Sequence, residues 1–247
     1  MTGPRNWNAE EYDRLPIPMT RWGATVVDRM TLRGDERVLD AGCGTGQVTQ
    51  LVRDRLPEGE VVALDGSPSM IQAARRRLGG YRVSYLVHDL LQPIPISPVD
   101  AILSTATFHW IADHDRLFAN LAAVLRPGGH LEAQCGGRGN IASVDRALRA
   151  AGHTEGTSAK TFASPEETKE RLERAGFVDI ACWLHAEPIT LPVDELEPYL
   201  ATICLGGIVD GMEPEAAAAF VHRVAASMNE PTIDYVRLEI SAKRGAA

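Results

Sequence analysis

Three glycines, Gly42, Gly44 and Gly46, stand at every second position in the stretch VLDAGCGTG, between a short apolar run and a helical pattern that starts at Val48. Glycine in a turn supplies positive φ, or lets the backbone approach something closely. Asp65 ends the next apolar run, about twenty residues on, where an acidic side chain can accept from both hydroxyls of a ribose. The pair points to a bound nucleoside. In the dinucleotide fingerprint GxGxxG the third glycine lets the helix N-terminus approach a pyrophosphate. Here the spacing is GxGxG, Gln47 stands where that glycine belongs, and the carboxylate of Asp40 would repel a pyrophosphate. The same carboxylate suits a ligand with a positive amino group. S-adenosylmethionine (SAM) has that group and a sulfonium, and no phosphate, so the spacing favours SAM over a nicotinamide dinucleotide.

Such residues need a frame that brings strand ends together. Residues 37–42, 61–65, 81–89, 100–106 and 129–136 are short and rich in Val, Ile or Leu, as strands covered on both faces are. Between them Val48, Leu51, Val52 and Leu56 recur at helical spacing. Ser67 with Pro68 behind it predicts the capped start of a helix carrying Met70, Ile71, Ala74 and Leu78. Leu117, Leu121, Val124 and Leu125 make a third helical stripe, stopped by the RPGG at 126–129. This alternation predicts a doubly wound α/β sheet with right-handed crossovers. Further on, 164–176 reads as a capped helix ended by Gly176, and 177–187 and 232–244 as strands, with helical stretches at 194–205 and 214–228 between them. The expectation is a single domain over 1–247, with an N-terminal helical arm (1–30) and a helical cap inserted at 190–230.

Composition narrows the partners. A chain of 247 residues, 45% hydrophobic and 23% charged, buries a full core without disulfides or metal. A net charge of −8 opposes a nucleic-acid surface, which should be basic. The one basic run, Arg75 to Arg77, fans out around its helix. Cys43, Cys135, Cys182 and Cys204 lie far apart with no CxxC, which suits reduced thiols better than zinc or a disulfide frame. The opening residues carry no apolar stretch, and no run approaches the roughly 18 apolar residues of a membrane helix. A cytoplasmic protein with a small-molecule partner, and neither nucleic acid nor membrane, is expected.

Five motifs in order resemble those of the class I SAM-dependent methyltransferases. They are VLDAGCGTG (38–46), VVALDGSPSMI (61–71), HDLLQ (88–92), ATFHWIADH (106–114) and LRPGGHL (125–131). The likeness is closer to the trans-aconitate methyltransferase group, through the opening WNAEEYDR (7–14), the HWIADH loop and a helical insertion before the final strand. Juvenile hormone acid methyltransferases have a similar middle. The stretch AQCGGRGN (133–140) departs from the trans-aconitate pattern, so substrate identity does not carry over. The resemblance implies a Rossmann-like seven-stranded sheet with an antiparallel last strand and the helical cap inserted before it. It implies that Asp40, Gly42, Gly44 and Gly46 hold the methionine end of SAM, that Asp65 takes the ribose, and that Ser67 and Met70 wall the adenine. Asp89 would accept the adenine amino group beside the Leu90 amide, and Thr105 and Ala106 would lie beneath the sulfonium. Trp7, Tyr12 and Arg21 would close over the cofactor, with Arg21 on its carboxylate.

The reaction so implied is in-line displacement at a methyl carbon, with the cofactor carrying the hard chemistry. The resemblance points to a carboxylate acceptor, giving a methyl ester and S-adenosylhomocysteine. An acid with a pKa near 4 is already ionised and needs no base. Phe108, Trp110 and Arg138 are the candidate substrate residues, Arg138 through its planar fork. A hydroxyl acceptor is the alternative, with His109 as its base. Asp113, His114 and Asp115 share that loop, but their spacing is wrong for a metal site and Asp113 reads as a helix N-cap. A SAM-binding protein without turnover, and an NAD-dependent dehydrogenase, are the readings from other classes.

Overall fold

The computed structural model describes residues 5–15, 18–155 and 160–246; Met1 to Pro4 and residues 16–17 of the expected arm lie outside them. The arm contributes α1 (Ala9–Arg14), capped by the Asn8 side chain, and α2 (Met19–Arg29). The strands and helices then alternate as β1 (Arg37–Ala41), α3 (Gln47–Arg53), β2 (Glu60–Asp65), α4 (Pro68–Leu78), β3 (Val83–Val87) and β4 (Val99–Thr105). After a 3-10 turn at Phe108–Trp110 come α5 (His114–Val124) and β5 (Leu125–Gly136). Ser67 caps α4 with Pro68 behind it, and Asp113 caps α5 through the Arg116 amide. Both are short side-chain acceptors at the start of an apolar stripe, which is why the helices begin there. Leu125, read as helix from its spacing, instead opens β5, because it pairs with Val99.

The rest of the chain runs α6 (Ala142–Ala150), α7 (Pro165–Arg174), β6 (Phe177–Ala186) and β7 (Ile189–Thr190). It continues through α8 (Val193–Tyr199), a π-helical turn at Leu200–Cys204, α9 (Gly206–Val209), α10 (Pro214–Ala226), β8 (Thr232–Ile233) and β9 (Val236–Arg244). The single strand expected at 232–244 is therefore two. β8 pairs with β7, away from the main sheet, and only β9 joins that sheet. No helix among the described residues is long and apolar enough to cross a membrane.

The main sheet has seven strands in the order β3-β2-β1-β4-β5-β9-β6, the first five parallel and β9 antiparallel to both neighbours. Strand order reverses at β1 and β4, so the carboxyl ends of these strands open a crevice, the usual ligand position in such sheets. β9 runs the other way, so its first residues lie at that same end, with Arg237 opposite Gly136. A second apolar cluster joins Trp22 of α2 and Leu148 of α6 to Leu196, Tyr199, Leu200 and Val224 of the inserted helices. That cluster roofs the carboxyl end of the sheet.

Candidate active site

One cavity of about 700 Å³ opens at the carboxyl ends of the strands. Its floor comes from the first two strand ends. Gly42 has φ +93°, and a Cβ there would meet Thr107 Oγ1 at 2.1 Å, so only glycine lets this turn pass the loop after β4. Gly44 differs: its φ is +53°, yet nothing lies within 4 Å of the place a Cβ would take. The turn at Gly44 therefore faces open space rather than protein. Asp65 faces the same cavity, its two oxygens accepting from the amides of Gly44 (2.9 Å) and Ser67 (2.8 Å). Burial raises its pKa, opposed by those two amides.

Met70, Asp89, Leu90, Thr105 and Ala106 line the cavity as well. Asp89 is oriented by the Leu91 amide at 2.9 Å. Ala106 holds φ +54°, a conformation that favours glycine, and its N–H donates to the Gln134 carbonyl at 2.7 Å. The arm closes one side with Trp7 and Tyr12; Trp7 meets Trp110 edge-on at 5.0 Å. Asp13 pins α1 to the glycine turn, accepting from Thr45 Oγ1 (2.7 Å), Gln47 Nε2 (2.8 Å) and Arg77 Nη2 (2.7 Å).

Several expected residues stand off the wall. Asp40 is buried behind it, taking a hydrogen bond from Thr49 Oγ1 at 2.7 Å while its Oδ1 has no partner among the described residues. Burial pushes the Asp40 carboxyl up to about 7. Gly46 is the N-cap of α3, and Ser67 caps α4 and receives the Trp7 amide at 3.1 Å. Phe108 is in the core against Phe118. Arg21 does not reach the cavity: it is 64% exposed and pairs with Glu187 at 3.0 Å. Arg138 is spent in the same way, on Glu167 at 2.6 Å with both side chains exposed. In each case a carboxylate elsewhere on the surface captures the guanidinium.

The wall built from the 3-10 turn, β9 and the segment before α7 is different. His109 lies in the 3-10 turn after β4, buried, its ring stacked on Phe162 at 5.9 Å and its Nδ1 accepting from the Gly136 amide at 3.2 Å. Burial, with Arg237 and Lys160 nearby, lowers its pKa well below the usual histidine value, so the ring is neutral. Arg237 is 1% exposed. Its Nε and Nη2 donate to Gln134 Oε1 at 3.1 and 2.9 Å, and it lies over the Trp22 ring at 4.4 Å. Lys160 Nζ donates to the Cys204 carbonyl at 2.9 Å and sits 4.6 Å from the Trp110 ring centroid. Burial lowers the Lys160 pKa to about 8. Arg5 completes the rim, paired to Asp210 at 2.6 Å.

Residues 38–129 match the family described as "Methyltransferase domain". A trans-aconitate 2-methyltransferase of Methylobacterium nodulans is 31% identical over 237 residues, which is 91% of this chain and 90% of that one. The chain belongs to the class I SAM-dependent methyltransferases. A second trans-aconitate 2-methyltransferase, from Methylobacterium radiotolerans, is 32% identical over 185 residues, 74% of this chain and 70% of that one. In three dimensions the YcgJ protein of Bacillus subtilis aligns with a TM-score of 0.67 at 14% identity, over 92% of this chain and all but a hundredth of that one, at 99%. That is a likeness of fold.

The methyltransferase thus has a cavity with two halves of opposite character. Asp65 and Asp89 stand at the end of β2 and just beyond β3. Arg237 and Lys160 line the same cavity from β9 and from the segment just before α7. Sequence reasoning missed Arg237, Lys160 and Tyr235, all cavity-lining. For Arg237 a signal existed. In RLEIS (237–241) charged or polar side chains alternate with Leu238 and Ile240, which in a two-sided sheet places Arg237 and Glu239 on one buried face.

Proposed function

We propose that this methyltransferase transfers a methyl group from SAM to a carboxylate oxygen of a small acid bearing two or more carboxylates, giving a methyl ester. One observation carries the reading: Arg237 and Lys160 line the cavity with no carboxylate within ion-pairing distance of either among the described residues. Buried cations left without a counter-ion are costly, and an anionic ligand would relieve that cost. The third cation, Arg5, already has Asp210. The name of the curated relatives adds a candidate acid, trans-aconitate, a tricarboxylate.

The residues present fit the methyl donor. The open space at Gly44 suits a ligand laid against bare backbone, and Asp65, pre-oriented by two amides, keeps lone pairs for a ribose. The unpartnered oxygen of Asp40 lies behind the same turn, and Asp89 and Met70 offer a polar edge and an apolar face for a base. Gly42, Thr105 and Ala106 would then border the methionine end, with Trp7 and Tyr12 over the top. Held there, SAM would supply an electrophilic methyl carbon on a sulfonium, whose C–S electron pair would return to sulfur as the carboxylate oxygen bonds to carbon. No proton moves, since the acid is ionised at neutral pH.

Charge bookkeeping decides which carboxylate the cations serve. The reacting carboxylate loses its charge as the ester forms. A cation bound to it would stabilise the ground state more than the transition state. Arg237 and Lys160 therefore suit carboxylates that keep their charge, where they bind substrate and transition state alike. The test is turnover of the purified protein with SAM and small mono-, di- and tricarboxylic acids, trans-aconitate among them. S-adenosylhomocysteine and a product heavier by one CH₂ are the expected result. S-adenosylhomocysteine binding without turnover of any acid would refute it.

A further inference from the structure

His109 is a neutral polar group beside the two cations, and its hydrogen bonding determines which of its nitrogens can act. Nδ1 accepts from the Gly136 amide at 3.2 Å. A neutral imidazole has one N–H and one lone pair on its ring nitrogens. With the lone pair of Nδ1 engaged by a backbone donor, the proton is on Nε2. The ring is neutral because it is buried beside Arg237, Lys160 and the His114 ring, all of which oppose a further positive charge. Gly136 ends β5 and is held in register by β9, and the His109 ring is flanked by Phe162 and by Trp110 at 5.2 Å. The tautomer is thus set by the sheet itself. Nε2 has no partner among the described residues, and His109 lines the cavity.

A general base needs a lone pair facing the acceptor. This ring presents an N–H instead. We propose that His109 is a catalytic hydrogen-bond donor: its Nε2–H holds the reacting carboxylate of the acceptor for in-line attack. The inference rests on the carboxylate reading above and deepens it. A neutral donor orients that carboxylate with less ground-state stabilisation than a cation would impose. The division of labour follows, with His109 on the carboxylate that loses its charge and Arg237 and Lys160 on those that keep it. This role differs from that of a base for a hydroxyl, which the sequence also suggests for His109.

Two variants separate donor from base. The amide nitrogen of a glutamine falls near the Nε2 position, so His109→Gln keeps the N–H and supplies no base, while His109→Leu removes both. With trans-aconitate as the probe, His109→Gln should retain kcat/KM within about tenfold of the parent. His109→Leu should lose about 10- to 100-fold, the worth of one hydrogen bond to a charged group. Calorimetric affinity for S-adenosylhomocysteine should be unchanged in both. Equal loss in the two variants would overturn the proposal. A measurement on the parent protein does not depend on either variant folding. ¹⁵N NMR of the histidine rings should show His109 neutral and protonated on Nε2, with that proton moving downfield when trans-aconitate joins the S-adenosylhomocysteine complex. An Nδ1-protonated ring, an imidazolium, or no shift would overturn it. If the parent methylates no acid, the carboxylate reading itself has failed. If it methylates acids while His109→Gln is as poor as His109→Leu, only this inference has.

Discussion

Replacing Arg237 by methionine tests the acceptor half of the site. The guanidinium places Nε and Nη2 on Gln134 Oε1, and Nη1 has no hydrogen-bond partner among the described residues, which leaves a charged donor for a ligand. Losing a hydrogen bond between charged groups at a buried site costs about 2–3 kcal/mol, or roughly 30- to 150-fold in affinity. Because the bound carboxylate keeps its charge through the reaction, the loss should fall on KM for di- and tricarboxylates with kcat little changed. Any monocarboxylate the enzyme accepts should be untouched. The fold should survive. Methionine keeps an apolar stem of similar length, loses the guanidinium over Trp22 and strands Gln134 Oε1 at a cost of about 1–3 kcal/mol, offset by removing a buried charge with no counter-ion. Initial rates at saturating SAM give the split, and a thermal melt and S-adenosylhomocysteine calorimetry report on fold and cofactor half. A KM for trans-aconitate within twofold of the parent, in a folded variant, would refute the assignment.

Other expectations follow from the same geometry. Lys160, with its pKa lowered to about 8 by burial, is charged below that pH and neutral above it. The kcat/KM for polycarboxylates should therefore fall as pH rises through about 8, and Lys160→Arg should abolish that limb because the guanidinium stays protonated. Gly44→Ala should lose about 1–2 kcal/mol of stability, because alanine is strained at φ +53° although its Cβ meets nothing within 4 Å, and should lose about ten- to a hundredfold in S-adenosylhomocysteine affinity if, as proposed, the cofactor fills that space. Gly42→Ala should lose stability outright, because its Cβ would stand 2.1 Å from Thr107 Oγ1. Arg21→Ala should change neither S-adenosylhomocysteine affinity nor stability by more than about 1 kcal/mol, the scale of an exposed ion pair; a clear loss of cofactor affinity would put Arg21 back at the site.

How much of this was legible in the sequence depends on distance along the chain. The half of the cavity proposed for the cofactor is built from strand ends and the turns that follow them, so its lining residues fall in local motifs: the glycine spacing, Asp65 and the HDLLQ stretch. The capped helices and the parallel strands were legible for the same reason, since caps and apolar periods are local signals. The boundary at Leu125 and the break between β8 and β9 were not, because pairing partners decided them. Arg21 and Arg138 pair outside the cavity for a similar reason. A flexible cation's position is set by whichever carboxylate the fold brings near, and Glu187 and Glu167 are invisible to a reading of motifs.

The half proposed for the acceptor was hidden because its residues meet only through topology. Arg237 reaches Gln134 across 103 residues of sequence, and Lys160 reaches Cys204 across 44. The decisive step is the insertion of β9 between β5 and β6. An edge strand tolerates charge on a solvated face, so a charged final strand reads as ordinary there. Inside the sheet the same residues are buried, and each needs a partner. Glu239 is held by Gln134 at 2.9 Å and by Arg29 at 2.7 Å, and Glu132 by Arg29 at 3.0 Å. Along this chain of contacts each buried carboxylate finds a cation. Arg237, at its end, finds an amide oxygen and the cavity. A network that neutralises its other charges and leaves its last cation facing a pocket is what the proposed anionic substrate requires, since the missing charge would arrive with it.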